Sequence, residues 1–274
     1  MNEKLCDEFR RVSRYIYKWI LNQPAVEETS ITDWVLFSLS KNTNKITYVK
    51  FSRQVEGRKT GADWEWWFVG DGPSLSLRIQ AKKLFIGEDN YHGIAYTNKH
   101  GLQIEKLRED ALRKNHIPFY AFYFANQDLD NLLCGATKRK KKNHGIFLAS
   151  AENIYEKFII NGRKKIEPSD VLSCSYPIHC LVCCDLFNNV YFNADNIGPA
   201  RQIHNYIKKC YGEVFIEGME NTENLGLHEE LPNYVLNLLN QEASQIPDGW
   251  MKDFGRDVQD INSILIFDLR GQRE

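Results

Sequence analysis

The spacing of apolar residues changes twice along the chain. From Leu5 to Leu21, Phe9, Val12, Ile16 and Ile20 recur at helical spacing, predicting a first helix that Pro24 ends. Ser30 with Asp33 three residues later resembles a capping arrangement, opening a second helix through about Leu39. Apolar and polar positions then alternate. KITYVKF (45–51), WEWWFV (64–69) and SLSLRIQAK (74–82) read as three neighbouring strands, the last two joined by the turn cluster GDGP (70–73). Helical spacing returns from about Asn98 to Lys114, through Leu102, Leu107, Ala111 and Leu112, and PFYAFYFA (118–125) reads as a buried strand. A helix joining two strands predicts parallel pairing for that last one.

Beyond Asn126, GIFLAS (145–150), HCLVCC (179–184) and SILIFDL (263–269) have the composition of strands, and segments near 151–160, 199–210 and 230–240 that of helices. The expected fold class is α/β, with a central mixed sheet flanked by helices. An αβββαβ core spans 1–126. A C-terminal α/β half, 127–274, either extends the same sheet or forms a second lobe.

Composition narrows the class. Hydrophobic residues at 43% with 26% charged suit a globular protein. No run of eighteen apolar residues occurs, so no membrane span is expected. The first twenty residues, MNEKLCDEFRRVSRYIYKWI, are charged throughout, so no secretory signal is expected. Seven cysteines suit reduced thiols and a cytoplasmic location better than a disulfide framework. A net charge of −1 gives no global nucleic-acid footprint, but charge is unevenly placed. Lys138, Arg139, Lys140, Lys141 and Lys142 form one basic run, whereas acids dominate 213–260. The run either steers a nucleic-acid backbone or is a solvated loop.

Alternation also sorts the candidate chemistry. Ser76, Arg78, Gln80 and Lys82 share one face of their strand; Asp63, Glu65 and Trp67 share a face of the preceding one. Paired as a hairpin, the two strands bring Asp63, Gln80 and Lys82 to one end of the sheet. Trp64, Trp66 and Phe68 fall on the opposite face as core, and Trp67 is a candidate cleft wall. A carboxylate beside so much apolar surface stays ionised only with a cation or ammonium nearby. The bland alternative makes Asp63 a turn residue and Gln80 and Lys82 a solvated polar face.

G-x-D, a strand, a turn and then Q-x-K at the end of the next strand resembles the PD-(D/E)xK nuclease superfamily. It is most similar to the variant typified by Mrr-type restriction nucleases, in which glutamine replaces the second acid. GADWEWW…QAK is also similar to a bacterial family of nuclease-like proteins. The resemblance covers about the first half of the chain, by the coarse boundaries a sequence allows. It implies a restriction-endonuclease-like core with Asp63, Gln80 and Lys82 catalytic. It further implies Mg2+ or Mn2+ held by Asp63, the amide oxygen of Gln80 and the carbonyl of Ala81. An acid from the leading helices joins such sites; Glu28 is favoured here, with Glu56 the runner-up and Glu27 a further candidate. The implied activity is hydrolysis of DNA phosphodiester bonds, in defence against foreign DNA. Arg78, Lys83 and the run 138–142 are the expected nucleic-acid contacts. DNA, a second copy of the chain and a regulator protein are the expected partners, and no membrane is. The alternative is a nuclease-fold module that binds nucleic acid or a protein without cleaving.

Cys174, Cys180, Cys183 and Cys184 with His179 form a second cluster, in which C-x-x-C hints at zinc. With no second C-x-x-C, buried core thiols are the stronger reading. No G-x-S-x-G, Walker loop or G-x-G-x-x-G occurs.

Overall fold

The computed structural model of the chain describes residues 3–41, 45–51, 60–84, 94–98, 101–125, 143–163, 166–183, 198–212, 222–240 and 261–271. Two helices lead, α1 (Glu3–Asn22) and α2 (Glu28–Lys41). Phe9, Val12, Ile16 and Ile20 are all core residues, as their spacing predicts. Helix α2 starts at Glu28, so Ser30 sits in its first turn instead of capping it.

Strands β1 (Ile46–Lys50), β2 (Trp64–Val69) and β3 (Ser74–Lys83) follow. β2 and β3 form the expected antiparallel hairpin, with Trp64 opposite Ile79. Short β4 (Thr97–Asn98) and β5 (Gly101–Leu102) then lead into α3 (Gln103–Arg113). β6 (Ile117–Tyr123) runs parallel to β3, as a helical crossover requires. The later elements are β7 (Ile146–Ser150), α4 (Ala151–Ile154, continued by a π-turn to Ile159), α5 (Pro168–Ser173) and β8 (Tyr176–Pro177). They continue with α6 (Cys180–Cys183), α7 (Pro199–Tyr211), β9 (Leu227–His228), α8 (Asn233–Leu239) and β10 (Ser263–Asp268).

Two expectations are corrected here. HCLVCC is helical over Cys180–Cys183, because Pro177 ends β8 and the Leu181 and Val182 N–H groups close turns onto Ile178 and His179. A short all-apolar run carries no period that separates a strand from a buried helical turn. Cys183 is joined to Cys6 of α1 in a disulfide, so these two thiols are not free. Cys174 and Cys180 are buried thiols, and Cys184 lies outside the described residues.

The second correction concerns strand order, which is β1-β10-β2-β3-β6-β7-β8, with β9 on the first residues of β3. β10 lies between β1 and β2, antiparallel to the first and parallel to the second. β1 and β2 are therefore not neighbours. Strands from both halves of the chain share one eight-stranded mixed sheet. Its faces carry two apolar layers. Trp64, Trp66, Phe68 and the odd-numbered side chains of β3 pack with α1, α2 and α7. The other face packs against Ile104 and Leu107 of α3, Ile154 of α4, Val171 of α5 and Val235 of α8. No helix among the described residues is long and apolar enough to cross a membrane.

Candidate functional site

Asp63 is clamped where the β2–β3 ladder ends. Its N–H donates to the Ile79 carbonyl at 2.8 Å, and its own carbonyl accepts the Asn262 N–H at 3.0 Å, just before β10. Two residues earlier, Gly61 has φ +70°, and a Cβ there would meet the Gln103 carbonyl oxygen at 2.5 Å. Only glycine lets this segment pass so close to α3. The glycine and aspartate of G-x-D thus have separate jobs, approach and function.

Past Trp64, side chains take the place of a strand along the β2 side of β3. Asp63 Oδ2 accepts the Ala81 N–H at 2.7 Å. Glu28 Oε2, from the first turn of α2, accepts the Lys83 N–H at 2.7 Å. Within a strand, the N–H and C=O of one residue point to the same side, and neighbours alternate. The Ala81 carbonyl therefore lies on this edge between the two carboxylates, whose attachment points are about 6.8 Å apart by strand rise.

The charges of these groups act on one another. Burial pushes the Glu28 carboxyl up to about 7; Lys82 is the strongest influence holding it down, and the Asp63 charge raises it further. Burial likewise raises Asp63, and Lys82 again opposes most strongly. Asp63, Lys82 and Glu28 thus share this end of the sheet. Gln80 is buried on the same β3 face as Lys82, and its Oε1 has no hydrogen-bond partner among the described residues. Glu27, at the start of this turn, is exposed. Glu56 and the run 138–142 lie outside the described residues.

Tyr120 was not singled out from the sequence. It pairs with Gln80 in register on β6, and its buried hydroxyl has no hydrogen-bond partner among the described residues. Burial and the Asp63 charge raise its pKa, so it stays a neutral phenol. The sequence marks PFYAFYFA only as a buried strand, and the pairing with β3 is what brings Tyr120 to Gln80.

Three expected site residues belong elsewhere. Arg78 is 1% exposed and bridges Glu65 at 2.9 Å and Asp110 at 3.3 Å, so it is not a nucleic-acid contact. Lys83 is 3% exposed, and its ammonium donates to the Pro24 and Val26 carbonyls of the α1–α2 turn. Trp67 is fully buried, donates to Glu65 and packs on His228 with ring centroids 4.7 Å apart. It lines no cleft. Around it lies a network missed from sequence: Tyr234 donates to Glu65, and Ser76 Oγ meets His116 Nδ1 at 2.6 Å and His228 Nε2 at 2.7 Å. Burial first, and the Arg78 charge second, hold His116 well below the usual histidine range, so it is neutral.

No group of three or more His, Cys, Asp or Glu side chains suited to a metal occurs among the described residues, the cysteine cluster included. The candidate donors are instead two carboxylates, one amide oxygen and one main-chain carbonyl. All are oxygens, the set a hard cation such as magnesium takes and zinc does not favour. Two desolvated acids and a buried amide oxygen lacking a partner fit such an ion.

Fold and site together define an α/β protein with one mixed sheet and an acid–amide–amine cluster at the open end of a β-hairpin. The chain belongs to the family described as a family of unknown function (DUF6615), whose model matches residues 5–270. No curated protein and no solved structure matches it.

Proposed function

We propose that this chain is a metal-dependent nuclease of the PD-(D/E)xK kind, hydrolysing DNA phosphodiester bonds in the cytoplasm, in defence against foreign DNA. The observation that carries the reading is the pair of carboxylates, Asp63 and Glu28, on successive N–H groups of one β3 edge, with Lys82 beside both. The chain order of β1, β2, β3, α3 and β6 supports the reading, with β10 lying between β1 and β2 in the sheet.

Asp63, Glu28, the Gln80 amide oxygen and the Ala81 carbonyl would hold Mg2+ or Mn2+. Such an ion, when bound, polarises a phosphodiester and lowers the pKa of a bound water. Lys82 orients the attacking water by hydrogen bonding and offsets the charge that develops on the phosphate. Glu28, its carboxyl pushed up to about 7 by burial, would lose its proton if such an ion bound. Gln80 in place of an acid removes one negative charge, so such an ion would be held more weakly than with a second acid there, and substrate phosphate could add an oxygen ligand. Asp63 is held by main-chain contacts on both sides, so its carboxylate needs no rearrangement.

The test is incubation of the purified chain with plasmid and linear DNA in magnesium, manganese or EDTA. Cleavage should require metal and vanish in Asp63→Ala and Lys82→Ala, with the circular dichroism spectrum unchanged. Cleavage surviving both substitutions would overturn the assignment. The missing second acid at Gln80 favours one further reading, a module that binds DNA or a protein without cutting; binding with no cleavage in either metal would select it.

A further inference from the structure

We infer that the outer seam of α1 and α2 is a binding platform for single-stranded nucleic acid, leading into the site at Asp63. This rests on the nuclease reading and names the form of substrate that such a site would receive. Arg11, Arg14, Tyr15, Lys18 and Trp19 fall at i, i+3, i+4, i+7 and i+8 along α1, which is one stripe of a helix. Trp34 and Phe37 of α2 border the same seam. Tyr15 stacks on Trp34 with ring centroids 4.1 Å apart and planes 15° from parallel, and Trp19 sets its edge against both rings. Tyr15 is 46% exposed and Phe37 55%, so the outer rim of the seam opens to solvent, while Trp19 and Trp34 pack inward against the core.

The charge beside the rings fits phosphate. Arg14, Lys18 and Lys41 are exposed along the seam, and Arg11 reaches across it to Ser38 at 3.2 Å while pairing with Glu8. The neighbouring acid Asp33 is paired with Lys50 on β1. Aromatic faces bordered by cations are the elements that stack unpaired bases while the charges follow the backbone. An aliphatic face would suit a lipid surface or a helix partner better, and duplex DNA keeps its base faces covered. The stripe also ends in the right place. The Trp19 carbonyl accepts the Gln23 N–H at 2.8 Å, the turn that follows accepts from the Lys83 ammonium, and α2 then begins at Glu28, one of the two acids of the site.

Fluorescence anisotropy in EDTA, with a labelled oligo(dT) about 12 nucleotides long and its duplex with oligo(dA), tests the platform, since stacking sites span about 4–16 nucleotides. The single strand should bind more tightly than the duplex and weaken with salt. Tyr15→Ala and Lys18→Glu, with unchanged circular dichroism, should each weaken single-strand binding about tenfold. Equal binding of both forms, or indifference to Tyr15→Ala, overturns the inference. So does capture by anionic vesicles that oligo(dT) cannot displace, or a dimer that Tyr15→Ala dissociates. Platform binding without metal-dependent cleavage would overturn the nuclease reading alone. Cleavage with no Tyr15 effect on single-strand binding would overturn the platform alone.

Discussion

Glu28 and Asp63, thirty-five positions apart in sequence, accept the N–H groups of Lys83 and Ala81 on one edge of β3. The two acids substitute for a strand that is absent there. A strand would have satisfied those N–H groups with neutral carbonyls; carboxylates do so while concentrating negative charge beside Lys82. The first prediction follows from the cost of that arrangement. Folding raises the Glu28 pKa from its ordinary 4.5 to about 7, so the folded state holds the proton more tightly than the unfolded chain. Its contribution to stability is complete below the unfolded value and is lost as pH rises through the folded one. Urea unfolding of the metal-free protein should show stability falling between about pH 5 and about pH 8, and the slope should shrink in Glu28→Gln. The residual slope belongs to Asp63, raised in the same sense.

Protons and cations compete for the same carboxylates. Magnesium or manganese should therefore raise the melting temperature more at about pH 8 than at about pH 6, by preferential binding to the folded state. Asp63→Ala should remove the shift. Equal shifts at both pH values would place the ion elsewhere.

Gly61→Ala tests why the motif begins with glycine. A Cβ at Gly61 would meet Gln103 O at 2.5 Å and Leu107 N at 2.9 Å, both main-chain atoms of α3, at a φ of +70°. Backbone cannot swing away as a side chain can. The variant should lose about 1–3 kcal/mol in chemical denaturation. It should also lose metal-dependent stabilisation, because Asp63 sits two residues on.

How far the sequence reached depends on the range of the interaction. Helices α1 and α3, the β2–β3 hairpin and the convergence of Asp63 with Lys82 follow from periods of 3.6 and 2, which act over a few residues. The insertion of β10 beside β2 does not, since SILIFD would read the same next to any apolar neighbour. Arg78 illustrates the other limit. Its place beside Gln80 on a polar-looking face suggests solvent or phosphate, whereas Glu65 across the hairpin and Asp110 from α3 enclose it. Alternation reports which side chains share a face, not whether that face is wet. The Glu65–Arg78–Asp110 group had no local signature at all.

Arg78→Met should accordingly damage the fold more than any nucleic-acid contact. Removing the cation leaves Glu65, fully buried, with the neutral donors Trp67 and Tyr234, and leaves Asp110 with Arg113 and Lys114 among the described residues. Breaking a buried pair in this way costs about 3–5 kcal/mol. Arg78→Met combined with Glu65→Gln should recover part of that loss in a double-mutant cycle. Independent, additive effects would show that the pair is not coupled.

Gln80→Glu separates an ion site from a merely polar corner, because the two predict opposite signs. Gln80 is 1% exposed, and its Oε1 faces no donor among the described residues. A carboxylate there would sit on the face that already carries Asp63 and Lys82, with Tyr120 opposite in register. Without metal, the added charge is desolvated and repelled by Asp63, and the variant should melt lower than the native chain, most clearly above neutral pH. With magnesium the same carboxylate becomes a stronger ligand than the amide, so the stabilisation by metal should grow and the apparent metal Kd should fall by about tenfold or more. Thermal shifts across a magnesium titration at about pH 8 read both effects in one experiment. If Gln80→Glu melts lower at every magnesium concentration by the same amount, no ion binds at this edge of β3, and the two carboxylates serve only to close it.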